Sequence, residues 1–321
     1  MRVRRMGRTG LKVSEVCLGC MTFGGQADER TAFAIMDVAQ AGGINFFDTA
    51  NVYQKGQSEE IVGKWLQGRR DRIVLATKVY GAIGDGPNDK GLSRAHILRA
   101  VEESLRRLQT DYIDLYQAHH PDPETPLDET LRAFDDLIRQ GKVRYIGCSN
   151  LPAWQVCKAL WISDAARLAR FDCVQPRYNI LFREIERELL PLCADQGVGV
   201  IVYNPLAGGM LTGKYSRETP PPADTRMGLR EMYRQRYWHE RNFAAIDRLR
   251  PAGGRHGHSL VQLALAWVLS RPTITSAIVG ATLPAQLEAS LSAVGLTLSD
   301  EELKVCDEVW EDVRGRDPSP K

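Results

Sequence analysis

The sequence predicts a (β/α)8 barrel, and three observations point to it. Short apolar runs with little alternation recur along the chain, as strands buried on both faces of a parallel sheet require. Amphipathic helical stretches lie between them. The strand–helix alternation repeats eight times with no change of composition, which reads as one domain over residues 1–321. An open doubly wound sheet is the alternative, and the repeat count disfavours it.

Each element has its own signal. An N-terminal hairpin is expected from residues 2–5 and 12–16. Barrel strands are expected at 16–18, 45–48, 73–78, 113–119, 143–149, 173–178, 199–203 and 276–279. Ala32, Ile35, Met36 and Ala39 recur at i, i+3, i+4 and i+7, one apolar stripe of a helix. Ile97, Val101, Leu105 and Leu108 form a similar stripe. Thr125-Pro126-Leu127-Asp128 reads as a helix start, with Thr125 as N-cap and Pro126 in the first helical position. Leu127, Leu131, Phe134 and Ile138 are then its buried face. Later helices are expected at 188–196, 259–270 and 283–294, and an extra C-terminal helix at 299–310. A long irregular loop, residues 207–237, follows the seventh strand, and loops of that length are usually functional.

Composition excludes several classes. A net charge of +2 with 26% charged residues gives no electrostatic reason to bind nucleic acid or an anionic membrane. Arg226, Arg230, Arg234, Arg236 and Arg241 are concentrated in one stretch, which reads as a solvated helix face. No apolar run reaches the ~18 residues of a membrane span, and no apolar segment follows the basic N-terminus as in a signal peptide. Seven scattered cysteines, an odd number, suit reduced thiols in the cytoplasm.

The chemistry is expected at the C-terminal ends of the barrel strands. There stand Asp48, with Tyr53 five residues on, then Lys78 and His119. A phenol is a poor acid at neutral pH, and an adjacent ammonium lowers its pKa. Asp48 would keep Lys78 charged, and His119 would orient a carbonyl oxygen toward Tyr53. The hydride that completes a reduction must come from a cofactor. Other motifs fall away. Cys17 and Cys20 match CxxC, but the first lies in a strand and no second ligand pair exists, so both read as structural. The segment from Gly208 to Lys214 approaches a P-loop, but Tyr215 replaces the hydroxyl that would hold Mg²⁺. His256 and His258 lie in a Gly-rich turn, and no metal site is expected.

These segments resemble the aldo-keto reductase superfamily across nearly the whole chain. Asn45-Phe46-Phe47-Asp48-Thr49-Ala50 with Tyr53 and Gly63 is similar to its first signature, and the run from Asp111 to His119 to its second. Gly147-Cys148-Ser149-Asn150, Gln175-Pro176-Arg177-Tyr178-Asn179, Tyr203-Asn204-Pro205-Leu206 and Ile278-Val279-Gly280-Ala281-Thr282 continue the likeness. The style is closest to the Tas-like reductases and the potassium-channel β-subunit branch. The resemblance implies a catalytic tetrad of Asp48, Tyr53, Lys78 and His119. It implies a nicotinamide site at Ser149, Asn150 and Gln175 with Tyr203 stacked on the ring, Met21 and Asp48 nearby. The pyrophosphate would lie along Asn204, Pro205, Leu206, Gly208 and Lys214, and the adenosine end at Gly280, Thr282 and Gln286. Phe23, Tyr80 and His120, with Tyr233 or Trp238, are expected on the substrate wall. Thr282 stands where many members have a basic residue, and Ala289 and Ser290 where a Glu-Asn pair is common. NADPH is the expected cofactor, with NADH the alternative. The expected substrate is a small carbonyl compound or, in reverse, an alcohol. The other function class is a cofactor-sensing regulatory subunit with weak catalysis.

Overall fold

The computed structural model describes residues 1–314. β1 (Val3–Arg5) and β2 (Lys12–Ser14) pair antiparallel as the expected hairpin. Eight further strands follow: β3 (Val16–Gly19), β4 (Phe46–Asp48), β5 (Val74–Val79), β6 (Ile113–Ala118), β7 (Val143–Ser149), β8 (Cys173–Gln175), β9 (Gly199–Val202) and β10 (Ser276–Gly280). They pair in parallel in chain order, and β10 closes on β3 to complete the barrel.

The helices are α1 (Glu29–Ala41), α2 (Gln57–Leu66), α3 (Arg94–Leu108), α4 (Leu127–Arg139), α5 (Ala153–Ala166), α6 (Leu189–Gln196), α7 (Arg226–Leu229), α8 (Glu231–Tyr237), α9 (Glu240–Arg255), α10 (Leu260–Leu269), α11 (Pro284–Leu291) and α12 (Asp300–Arg314). Their starts follow local chemistry. Asp28 and Ser93 accept the backbone N–H of Thr31 and His96, and Ser259 with Gln262 forms a capping box on α10. The start of α4 differs from expectation. Thr125 does not cap it; its hydroxyl donates to Asp122, whose carboxylate also holds the Leu92 N–H, and Pro126 takes the cap position.

Period-2 alternation divides the core in two. Cys17, Phe46, Ala76, Leu115, Cys173, Ile201 and Ile278 point inward and form one buried cluster with Met6 and Val13 from the hairpin. Their strand neighbours Leu18, Phe47, Leu75, Tyr116, Val174 and Val279 face outward and pack beneath the helices. The hairpin thus plugs the N-terminal end. Gly199 is required there, because a Cβ at that position would lie 2.6 Å from the Met6 sulfur. Two shallow hollows beside Arg2, Leu269 and Ser270 belong to this same end, away from the strand C-termini.

Two other boundaries differ from the sequence reading. β8 stops at Gln175 because Pro176 has no N–H to continue the ladder, although its carbonyl still accepts from Tyr203. The stretch 207–237 is not wholly irregular: it contains a short turn of helix over Ala207–Thr212, then α7 and α8. No described helix is long and apolar enough to cross a membrane.

Candidate active site

The functional layer lies one step above the inner core. Adding two residues to each inward strand position gives Gly19, Asp48, Lys78, Gln117, Gln175, Tyr203 and Gly280, all directed to the same mouth by the pleat. Lys78 is fully buried, and its Nζ donates to Asp48 Oδ1 at 2.5 Å, to the Thr49 carbonyl at 2.7 Å and to the Tyr53 hydroxyl at 3.3 Å. The His119 ring meets Tyr53 edge-on, with centroids 5.7 Å apart. The four expected catalytic residues therefore converge.

Tyr53 is not on a strand, and the chain holds it by a strained turn. Gln54 and Lys55, just after it, both adopt left-handed backbone (φ 49° and 56°). The loop is tied down by Ser58, whose hydroxyl donates to the Cys20 carbonyl at 2.7 Å and accepts from Thr49 at 2.8 Å. Among the described residues, five of the seven non-glycine positions with positive φ are on mouth loops: Gln54, Lys55, Asn150, Asn204 and Ala207. The other two, Gln109 and Arg167, simply end helices.

Electrostatics decide the protonation states. Burial disfavours the Lys78 ammonium, but the charges of Asp48 and Tyr53 and their hydrogen bonds outweigh it and hold its pKa above the ordinary value. The sequence led us to expect a lowered Tyr53 pKa. The direction is the reverse: burial raises it, and Lys78 offsets only part of that rise. The phenol is thus fully protonated at neutral pH. His119 is held well below an ordinary imidazole by burial, then by Lys78 and His120, so it is neutral. His96, buried, is also shifted down, chiefly by burial. Both histidines bind fewer protons folded than unfolded, so their stabilisation is complete above about pH 6.5 and is lost as the pH falls further. Thermal unfolding followed by circular dichroism should show a midpoint that falls from about pH 6.5 to about pH 5, with a shallower slope in His119→Asn. An unchanged slope in that variant contradicts the assignment.

Around this centre the expected cofactor residues form two groups. Ser149 Oγ donates to the Gln175 carbonyl at 2.8 Å, Asn150 Nδ2 to the His119 carbonyl at 2.9 Å, and the Tyr203 hydroxyl to Asn150 Oδ1 at 2.8 Å. Gln175 Nε2 reaches Asp48 Oδ2 at 2.9 Å. Ser149, Asn150, Gln175 and Tyr203 thus join the catalytic centre directly. Farther out, Asn204 and Pro205 are buried, Met21, Leu206 and Gly208 half-buried, and Lys214 exposed. Asn204 Nδ2 is a buried donor with no partner. Thr282 donates its N–H and hydroxyl to Gln286 Oε1, so these two are paired with each other beyond the end of β10.

The wall residues divide. His120 stacks on His119 with centroids 4.9 Å apart, and Tyr80 meets its edge at 5.4 Å; both are on the rim. Phe23 is not a wall: its N–H turns back to the Cys20 carbonyl and the ring is wholly buried in the outer core. Trp238 packs on Tyr215 and Phe243, at 5.5 Å and 5.1 Å, rather than over the mouth. Tyr233 is the better placed, its hydroxyl 3.5 Å from Asn204 Oδ1.

The sequence reading missed three residues. Gln117 donates to Asp48 Oδ2 at 3.1 Å and is fully buried. Its signal was present: a polar residue within an apolar strand, two before His119 and so on the same face. Arg236 and Arg226 belong to the stretch whose spacing predicts a solvated helix face. Instead the Arg236 charge acts on both Tyr203 and His120, and Arg226 lies over the Tyr233 ring at 5.4 Å. A Cβ on Gly280 would be 4.0 Å from an Arg226 nitrogen. Neither arginine has an ion pair among the described residues, whereas neighbouring Arg234 pairs with Glu231. Cys17 and Cys20 are buried thiols with pKa values raised by burial. His256 and His258 contact Glu301 and Glu302 of α12. No metal-ligand cluster occurs among the described residues.

Comparisons with known proteins give the family. The sequence profile of the Aldo/keto reductase family matches residues 15–311. The chain is 42% identical to the uncharacterized oxidoreductase YrpG of Bacillus subtilis, over 99% of this chain and 98% of that one. It is 39% identical to a probable voltage-gated potassium channel subunit beta of Arabidopsis thaliana, covering 92% and 91%. It is 36% identical to the versiconal hemiacetal acetate reductase of Aspergillus parasiticus, covering 97% of each. A barrel whose inward layer ends in Asp48, Lys78 and His119 beside Tyr53, with this profile along its length, belongs to the aldo/keto reductase family and is an oxidoreductase of carbonyl groups that works with a nicotinamide cofactor.

Proposed function

We propose that the chain reduces an aldehyde or ketone with NADPH, and that Tyr53 protonates the carbonyl oxygen. One observation carries this reading: the Lys78 ammonium bridges Asp48 Oδ1 at 2.5 Å and the Tyr53 hydroxyl at 3.3 Å. A phenol kept protonated by burial gives up its proton only when negative charge develops on the oxygen it faces. Lys78 then stabilises the phenolate that remains, and Asp48 keeps Lys78 charged and fixed. Neutral His119 can donate a hydrogen bond to the same oxygen and orient it. Alcohol oxidation uses the same groups in reverse.

The residues fit a dinucleotide. When bound, the reduced nicotinamide supplies the hydride. Ser149, Asn150 and Gln175 would hold its carboxamide and Tyr203 its ring, beside Asp48 and Met21. The unpartnered Asn204 amide, with Pro205, Leu206, Gly208 and Lys214, suits a pyrophosphate. Gly280, Thr282 and Gln286 would meet the adenosine end. There Arg226, without a carboxylate partner among the described residues, would take the extra phosphate that distinguishes NADPH from NADH. Arg226→Ala is therefore expected to weaken NADPH binding by about 10-fold or more while leaving NADH unchanged, as read by Trp fluorescence titration. Equal weakening of both cofactors contradicts that role. The reading as a whole is tested by following absorbance at the reduced-nicotinamide band with a panel of small aldehydes. Consumption of NADPH supports it, and consumption of neither cofactor opposes it. We place the protein in the cytoplasm, where its seven free cysteines would stay reduced.

A cofactor-sensing subunit is the second reading, favoured by the 39% identity to a plant potassium channel subunit beta. Tight NADPH binding without turnover, together with capture of a stable membrane partner, would favour it. His119 beside Tyr53 speaks for catalysis.

A further inference from the structure

We infer that Gln117 is a positioning residue: it locks the Gln175 amide so that only an acceptor faces the cofactor, making the site selective for a carboxamide that can donate an N–H. The inference rests on the nicotinamide lying over Gln175, as proposed above.

The argument starts from Asp48. Its Oδ1 is paired with the Lys78 ammonium, and its Oδ2 lies 3.1 Å from Gln117 Nε2 and 2.9 Å from Gln175 Nε2. An ionised carboxylate only accepts hydrogen bonds, so both glutamines must turn their NH₂ groups toward it. That choice leaves Gln117 Oε1 beside Gln175 Nε2, which donates to it at 3.1 Å. Both Gln175 donors are now used, one on Asp48 and one on Gln117. Its Oε1 has no protein partner among the described residues and is not sealed from solvent, so it is the group presented at the mouth.

Flipping Gln175 would break two hydrogen bonds and set its oxygen against both the Asp48 carboxylate and the Gln117 carbonyl oxygen. Without Gln117, only one of those obstacles remains. The barrel is shaped to admit this glutamine. Gln117 is paired in register with Lys78 on one side and Gly147 on the other, and a Cβ at Gly147 would press on its Cγ at 3.3 Å and on the Cys173 carbonyl at 2.9 Å. Gly147 thus leaves the space through which the side chain extends toward Asp48. Gln117 itself touches neither hydride nor proton.

The test compares two ligands that differ only at the carboxamide: NADPH, and its reduced 3-acetylpyridine analogue, whose acetyl oxygen cannot donate. Affinities are read by Trp fluorescence on the full-length protein. Wild type should prefer NADPH by about 10-fold, since the analogue puts a methyl group where the carboxamide N–H would donate to Gln175 Oε1. In Gln117→Met, which keeps the length and fills the space, the preference should shrink by about 5-fold, the usual worth of one hydrogen bond. Equal loss of affinity for both ligands, with the preference intact, would mean that Gln117 is only structural and would overturn the inference. Gln117→Glu supplies a second readout. Either form of its carboxyl keeps an oxygen that accepts from Gln175 Nε2, so the preference should be retained here although it shrinks in Gln117→Met. A preference that shrinks in Gln117→Glu as much as in Gln117→Met also overturns the inference. A wild type that binds neither ligand defeats the placement of the nicotinamide, whereas one that binds both equally defeats only the locked amide.

Discussion

Replacing Tyr53 with Phe should lower turnover by about 10²–10⁴-fold while NADPH binds within a few-fold of wild type. Among the described residues the hydroxyl makes one hydrogen bond, accepting from Lys78 at 3.3 Å, so its removal leaves the barrel and the Asp48–Lys78 pair in place. The ring keeps its edge contact with His119 and its place 4.9 Å from the Lys78 ammonium. What disappears is the group able to protonate a carbonyl oxygen. The variant should therefore unfold at nearly the wild-type temperature, load cofactor and fail at chemistry. Full activity would mean that another acid acts, and neutral His119 would be the first to examine.

Lys78→Met should produce a different failure, in stability as well as rate. The Lys78 side chain is 0% exposed and that of Asp48 4%, so the substitution leaves a buried carboxylate without its counter-ion. Removing one partner of such a pair costs about 3–5 kcal/mol. The lower end is expected here, because Gln117 and Gln175 still donate to Asp48 Oδ2 at 3.1 Å and 2.9 Å. Adding Asp48→Asn should recover much of that stability, since the uncompensated charge is gone, but no activity, since nothing remains to stabilise the Tyr53 phenolate. Chemical denaturation of the two variants checks this. If the double variant is no more stable than Lys78→Met, the buried charge was not the cause.

The inward layer was legible in the sequence because a strand has period two. Asp48, Lys78 and His119 each end an apolar run, and the same rhythm, applied inside the run 113–119, would have found Gln117. Residues on loops were harder to place. Phe23 and Trp238 were assigned to the wall by position alone, yet backbone turns direct one into the core and the other toward Phe243. Arg236 and Arg226 resembled solvated charges because nothing local indicates which face of a short helix covers a mouth formed by distant strands. The helix α5 had no amphipathic stripe to announce it, being apolar on several faces, with Trp154 and Trp161 exposed at 63% and 68%. Protonation was the least legible of all. Lys78 beside Tyr53 suggested a lowered phenol pKa, but burial, which no local pattern reports, reverses the direction.

The central claim is that a nicotinamide hydride goes to the carbonyl carbon while Tyr53 supplies the proton to its oxygen. The most direct measurement follows a deuterium label from the transferable position of NADPH into an aldehyde, in water, for wild type and Tyr53→Phe. The account predicts one deuterium on the product alcohol carbon per NADPH consumed by wild type, and neither consumption nor labelled alcohol above background in the variant. Product formed without label on that carbon, or formed equally fast by the variant, would contradict it.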